Sequence, residues 1–256
     1  MPCDAFQLRC EFIMSSATLY VFSISHYCEK AKWALDLCNI DYETKVLIPP
    51  SYARATQQLG TTSPSVPILQ TADGEVIQGS PGIVVWANSQ NQRFDVSEES
   101  IRIEQRLDAA LGIHIRRWFY SEALLDCPQI VKPCFTYEAH FLDKIIMGFA
   151  WPKVVPMMIK RMDLGPRQEL ESKAIVEREL DWLEEKLADG RQYLYGGKLS
   201  NADIAAASLI APAFGPKEHP LSSVFSLPPR IASTVKAWEG RPIELWLKSL
   251  YREYRS

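Results

Sequence analysis

The pattern of apolar residues changes once along the chain, near residue 90, and this change limits the possible folds. Before it, TLYVFS at 18–23 and YETKVLI at 42–48 have the composition of short strands, and the segment between them, from Ser25, has helical spacing. After the polar segment 88–100, only helical spacing recurs. The sequence therefore predicts an α/β unit over residues 17–90 and an all-helical unit over 97–256, preceded by an extension, 1–16.

The end of the α/β unit has the pattern of a hairpin followed by a helix. Val66–Leu69 and Glu75–Ile77 read as short strands, joined by a turn at Ala72-Asp73-Gly74. Ser80 is a good N-cap and Pro81 suits the first helical position, so a helix is expected to follow. Strand, helix, strand, hairpin and helix thus follow one another within about 75 residues.

Two features stand out in the helical unit. Ser200 and Asp203 have the spacing of a capping box, which predicts a helix starting after Ser200. The most apolar stretch, 145–159, is interrupted by Pro152 and Pro156 and is shorter than the roughly 20 residues of a membrane span. It predicts short core helices separated by proline, with a segment that touches lipid or lines a ligand site as the alternative, and no stable insertion into a membrane.

Composition excludes several functions. The net charge of −3, with no run rich in Lys or Arg, argues against a nucleic-acid partner. The six cysteines contain no CxxC pair, and the four histidines have no metal-binding spacing, so neither a metal site nor a dithiol redox motif is predicted. Sparse cysteines are typical of free thiols in a reducing compartment, which favours a cytoplasmic location.

Four stretches, in this order and spacing, resemble the cytosolic glutathione transferases: SHYCEKAKWAL (25–35), SVPIL (65–69), VIQGSPGIVVWA (76–87) and GGKLSNADIAAASL (196–209). The resemblance implies a thioredoxin-like N-terminal domain followed by an all-α helical-bundle domain. It also implies an enzyme that uses glutathione as co-substrate and transfers its thiol to a small apolar electrophile. A homodimer is implied in the same way.

The same resemblance implies roles for five residues. Ser25 takes the place of the catalytic serine in zeta- and tau-like transferases, where it would hydrogen-bond the glutathione thiolate. Val66 would offer its backbone N–H and C=O to the cysteinyl part of glutathione, next to a cis Pro67. Ser80 would bind the γ-glutamyl carboxylate. Gly79 stands where family members commonly have Glu or Gln to meet the ligand's ammonium group.

Other readings of the first motif remain open. Cys28 lies where a glutaredoxin has its second cysteine, so it could act in thiol transfer; it could equally be a buried, inert thiol. Ser23 competes with Ser25 if the strand end is displaced by a residue or two. His26 is expected to be an exposed loop side chain.

Departures from the family pattern favour a second class of function, a non-catalytic module that binds a ligand or a protein. Gly79 lacks the usual acidic or amide side chain, and Ser65 stands where many plant-type relatives have lysine. Compensation could come from Arg54, Lys45 or the partner subunit's Glu104.

A pocket for the second substrate is expected against the helical domain. Apolar side chains with helical spacing that could line it are Trp118, Phe119, Phe149, Trp151, Met157 and Met158.

Overall fold

A computed structural model describes residues 16–224 and 226–255, so the predicted extension 1–16 lies, apart from Ser16, outside the described residues. The first unit contains strands β1 (Ala17–Val21), β2 (Tyr42–Val46), β3 (Ile68–Gln70) and β4 (Val76–Gln78), and helices α1 (His26–Leu37), α2 (Tyr52–Gln58) and α3 (Ser80–Asn91). A short 3₁₀ helix, Pro49–Ser51, precedes α2.

The four strands form one mixed sheet in the order β2-β1-β3-β4. β1 and β2 are parallel, as a connection through a helix requires, whereas β3 is antiparallel to both β1 and β4. Strand β3 starts at Ile68, directly after Pro67, because proline has no N–H for the ladder.

The second unit is helical throughout the residues described. Its helices are α4 (Glu98–Leu107), α5 (Ile113–Leu125), α6 (Pro128–Phe135), α7 (Phe141–Arg161), α8 (Pro166–Leu187), α9 (Asn201–Phe214), α10 (Pro229–Ala237) and α11 (Pro242–Tyr254). A π-helical turn, Asp108–Gly112, joins α4 to α5. Helix α9 begins with the predicted capping box, in which Ser200 and Asp203 each accept from the other's backbone N–H.

The two units share a core. One cluster of buried apolar side chains extends from β1 and α1 through α4, α5 and α8 to α9 and α11. Lys30 of α1 is fully buried in this interface, and its ammonium group contacts Glu104 at 2.9 Å and Asp108 at 2.7 Å. The fold class predicted from the sequence is confirmed: a thioredoxin-like domain packs against a helical domain.

Two local predictions are wrong. Gly79, not Ser80, is the N-cap of α3, and the Ser80 side chain makes no capping hydrogen bond. The apolar stretch at 145–159 does not form short core helices: it lies within the continuous helix α7, which contains both prolines. Much of the apolar surface of α7 faces outward, with Phe149 84% exposed. Among the described helices, none is long and apolar enough to cross a membrane.

Candidate active site

Three chain segments meet at one edge of the sheet because of the strand directions. β1 ends there, and β3, which is antiparallel to β1, starts there with Ile68 opposite Tyr20. β4 ends at the same edge, with Gln78 opposite Ile68, and the Gly79 N–H donates to the Pro67 carbonyl at 2.9 Å. The edge therefore brings together the N-terminus of α1, the Val66–Pro67 segment and the N-terminus of α3. The Val66–Pro67 peptide bond is cis, as predicted.

Ser25 is the N-cap of α1, and its hydroxyl oxygen acts there as a hydrogen-bond acceptor. Ser25 Oγ accepts a hydrogen bond from the backbone N–H of Cys28 at 3.4 Å, an acceptor role that leaves the O–H free to donate. Ser23 differs, because its hydroxyl donates to the Tyr137 carbonyl of the helical domain. Ser25 donates to no oxygen or nitrogen among the described residues. Its hydroxyl interacts with the buried Cys28 thiol, which is a weak acceptor.

The Cys28 thiol is in an environment that opposes reactivity. Cys28 is 2% exposed and its sulfur accepts from the Phe22 N–H at 3.4 Å. Burial raises the pKa of the thiol to about 11. A reactive cysteine requires the thiolate at neutral pH, so the buried, inert reading of Cys28 agrees better with the structure.

The N-terminus of α3 presents unfilled donors. Neither Ser80 nor Gly82 has a backbone acceptor for its N–H within the described residues, and Ser80 Oγ is buried without a hydrogen-bond partner. These groups lie at the positive end of the helix dipole, where a carboxylate is favoured. Gly79 has φ +92°, and a residue with a side chain would be strained in this backbone conformation.

The backbone of Val66 is unpaired on both sides: within the described residues neither its N–H nor its C=O has a hydrogen-bond partner. The segment before it is held by Gln78, whose Nε2 donates to the carbonyls of Ser63 at 2.7 Å and Ser65 at 3.0 Å. Because those two bonds use the amide nitrogen, Gln78 Oε1 remains an acceptor.

His26 is buried, contrary to the expectation of an exposed loop side chain. It is 5% exposed, and its Nε2 lies 3.0 Å from the Gly112 carbonyl in the π-helical turn. A π turn leaves carbonyls without helical partners, and the Asp108 carbonyl accepts in the same way from the Tyr27 hydroxyl at 2.9 Å. Gly112 has to lack a side chain here, since a Cβ would collide with the Tyr27 hydroxyl.

A cavity of about 300 Å³ opens beside Ser25, between the β1–α1 loop and the helical domain. The lining is mostly apolar and comes from α5, α6, the C-terminal end of α9, the segment after α9 and α10; it includes Ile115, Phe119, Tyr120, Val131, Phe214 and Leu227. Ser23, Ser25 and His26 line the opposite wall. A small apolar molecule in this cavity would lie against the Ser25 hydroxyl.

The residues predicted for this pocket are mostly elsewhere. Phe119 lines the cavity, but Trp118 and Trp151 are buried in the two core clusters. Phe149 and Met157 point away from the core on the exposed face of α7, and Met158 packs against the smaller core cluster. Helical spacing shows which residues share a face, and it does not show which neighbour that face meets.

Glu104, the acid expected to compensate for Gly79 from a partner subunit, is buried within its own chain. Glu104 is 2% exposed and is bonded within its own chain to Lys30 and, at 2.5 Å, to Asn201. The Lys45 ammonium group lies over the Tyr20 ring at 5.6 Å. No cluster of potential metal ligands occurs among residues 16–224 and 226–255.

Comparison with known proteins decides the family. The glutathione S-transferase N-terminal domain model matches residues 24–90, and the C-terminal domain model matches residues 143–227, together more than half of the chain. The chain belongs to the glutathione transferase superfamily. A comparison with curated proteins finds no match.

Solved glutathione transferases have the same fold at low sequence identity. GSTFuA3 from Phanerochaete chrysosporium is 13% identical with a TM-score of 0.63, and the alignment covers 95% of this chain and 98% of that one. A Ceriporiopsis subvermispora enzyme, solved in complex with glutathione, is 14% identical with a TM-score of 0.59, over 94% and 98% of the two chains. Human transferase T1-1 is 14% identical with a TM-score of 0.57, over 94% and 84%.

Proposed function

We propose that this protein is a serine-type glutathione transferase in which the Ser25 hydroxyl stabilises the glutathione thiolate. The observation that carries the proposal is a hydroxyl in the wall of an apolar cavity that donates to no oxygen or nitrogen among the described residues and has only the Cys28 thiol, a weak acceptor, beside it. A hydrogen bond from Ser25 lowers the thiol pKa from its ordinary range near 8.5, because it favours the charged form. The N-terminus of α1 adds positive potential at the same place.

The reaction is then a nucleophilic displacement at a carbon atom of the electrophile, with the glutathione sulfur as nucleophile. Glutathione loses its thiol proton to solvent, and the thiolate forms a carbon–sulfur bond with an electrophile held in the apolar cavity. The leaving group departs with the electrons of the bond that breaks. The protein contributes orientation and thiolate stabilisation.

Unpaired groups around the sheet edge account for the binding of glutathione. The free N–H and C=O of Val66 can pair with the cysteinyl backbone as an added strand would. The free donors of Ser80 and Gly82 suit the γ-glutamyl carboxylate. The free Oε1 of Gln78 is an acceptor for the ammonium group, which replaces the side chain that Gly79 lacks.

Glutathione titration by calorimetry and conjugation of an aromatic halide test this proposal in wild type, Ser25→Ala and the matched control Ser23→Ala. We expect Ser25→Ala to bind glutathione within a few-fold of wild type and to lose on the order of 10²-fold in turnover, as when one stabilising donor is removed. Ser23→Ala should retain turnover. Unchanged turnover in Ser25→Ala would refute the serine mechanism.

A second candidate is a binding module without turnover, and the burial of Ser80 favours it. Ser80 is 2% exposed, so a carboxylate can reach its hydroxyl only if the covering groups move. If wild type shows no heat of binding at millimolar glutathione, this candidate replaces the first.

The homodimer and the cytoplasmic location remain predictions from the family resemblance. A surface groove between α3 and α4, lined by apolar groups that include Ile77, Val85 and Trp86, supports the dimer because Val85 is 44% exposed there. Light scattering after size exclusion would test it: a monomeric mass at micromolar concentration contradicts the prediction.

A further inference from the structure

Of the four charged side chains that line the cavity, three are in ion pairs and one is not. Glu29 contacts Arg255 at 2.8 Å, and Lys32 lies 3.7 Å from Glu138. Burial alone would raise the pKa of Glu29, but the Arg255 charge lowers it overall, so this pair is ionised. Arg116, on α5, lines the same cavity and has no acidic or hydrogen-bonding partner among the described residues.

The two histidines of the cavity carry no charge at neutral pH. Burial lowers the pKa of His26 to about 3, and the positive charge of Arg116 contributes in the same direction. Burial also lowers the pKa of His219. Both imidazoles are therefore neutral, and within residues 16–224 and 226–255 the Arg116 guanidinium is the charged group of the cavity lining that has no ion-pair partner.

Arg116 also lies at the functional end of the cavity. It lies within one helical turn of Ile115 and Phe119, which belong to the apolar wall, and its charge acts on His26, the residue next to Ser25. A guanidinium offers several N–H donors in a plane, which suits a carboxylate or a sulfonate. The cavity thus combines an apolar wall with one anion-binding group.

We infer that the cavity takes apolar, preferably aromatic, molecules that carry one carboxylate or sulfonate, and that Arg116 binds this anionic group. That these molecules are also electrophiles for conjugation rests on the proposed function. Their binding requires no glutathione. Because Arg116 is exposed to solvent, we expect its contribution to be about fivefold in affinity, at the upper end for an exposed ion pair.

Calorimetry with two matched ligands, biphenyl-4-carboxylate and its neutral analogue biphenyl-4-carboxamide, tests the inference without glutathione. Wild type should bind the carboxylate about fivefold more tightly. Arg116→Gln should remove this preference and leave the affinity for the carboxamide unchanged, which also shows that the variant is folded. The matched control is Arg117→Gln, since Arg117 is the next residue of α5, pairs with Asp163 and does not line the cavity; it should keep the preference.

Three results would overturn the inference: equal affinities of wild type for the two ligands, a preference that survives in Arg116→Gln, or a preference lost equally in Arg117→Gln. A repeat at saturating glutathione distinguishes the source of the anion. If glutathione abolishes the preference and Arg116→Gln weakens glutathione binding about fivefold, Arg116 binds a glutathione carboxylate, and the inference about the second substrate is wrong. Loss of conjugation in Ser25→Ala has no bearing on these binding results, so the two proposals fail separately.

Discussion

Acidification should destabilise the protein through His26. The ring is 5% exposed, and its Nε2 must carry the proton because the Gly112 carbonyl can only accept. Burial, with help from the Arg116 charge, lowers the pKa of His26 from 6.5 to about 3 in the folded chain. In the unfolded chain the imidazole takes up a proton below pH 6.5, whereas in the folded chain it stays neutral. The stability that the neutral ring provides is therefore complete above pH 6.5 and is lost as the pH falls toward 3.

The size of the effect follows from the pKa values. Each pH unit below 6.5 costs about 1.4 kcal/mol, so acidification from pH 7.5 to 4.5 should cost about 3 kcal/mol through this one residue. That is a large part of the 5–15 kcal/mol that is typical of a folded domain. His26→Gln keeps an N–H donor for the Gly112 carbonyl and removes the titration.

The assay is urea unfolding, followed by tryptophan fluorescence, of wild type and His26→Gln at pH 7.5, 6.5, 5.5 and 4.5. The free energy of unfolding of wild type should fall by about 3 kcal/mol more than that of the variant over this range. Asp203 and His219, which also titrate in the fold, are present in both proteins and cancel in the difference. Parallel pH profiles of the two proteins would refute the reasoning.

Three further substitutions test the structural arguments. Gly79→Ala should reduce the free energy of unfolding by about 1 kcal/mol or more because φ is positive there, whereas Gly148→Ala, at an open helical position of α7, should raise it slightly; equal effects in urea unfolding would contradict this. Cys28→Ala should retain conjugation, and the Cys28 thiol should resist alkylation in the native protein at pH 7.5, so rapid labelling would restore the thiol-transfer hypothesis. Lys30→Met should cost about 3–5 kcal/mol, since it leaves two carboxylates without their buried cation, and a change below 1 kcal/mol in urea unfolding would contradict that account.

Local rules were sufficient for most of the secondary structure. Ser25 and Ser200 are N-caps because a hydroxyl before an apolar helical pattern fills an otherwise free backbone donor, which requires only nearby residues. The same locality explains the error at α3. Gly79 adopts the left-handed region at the end of β4 and starts the helix one residue early, a choice tied to its hydrogen bond with Pro67.

The sequence by itself determined the order of strands and helices, the division into two units and the positions of the glutathione-transferase motifs, because periodicity and capping depend on neighbours within a few residues. The tertiary structure alone decided which polar groups remain unpaired. It assigns the Ser23 proton to Tyr137, buries His26 on a π-helical turn 86 residues away, and leaves Arg116 without an acid. Those outcomes depend on how the helical domain packs on the β1–α1 loop, and burial and charge pairing across such an interface have no signature in local sequence.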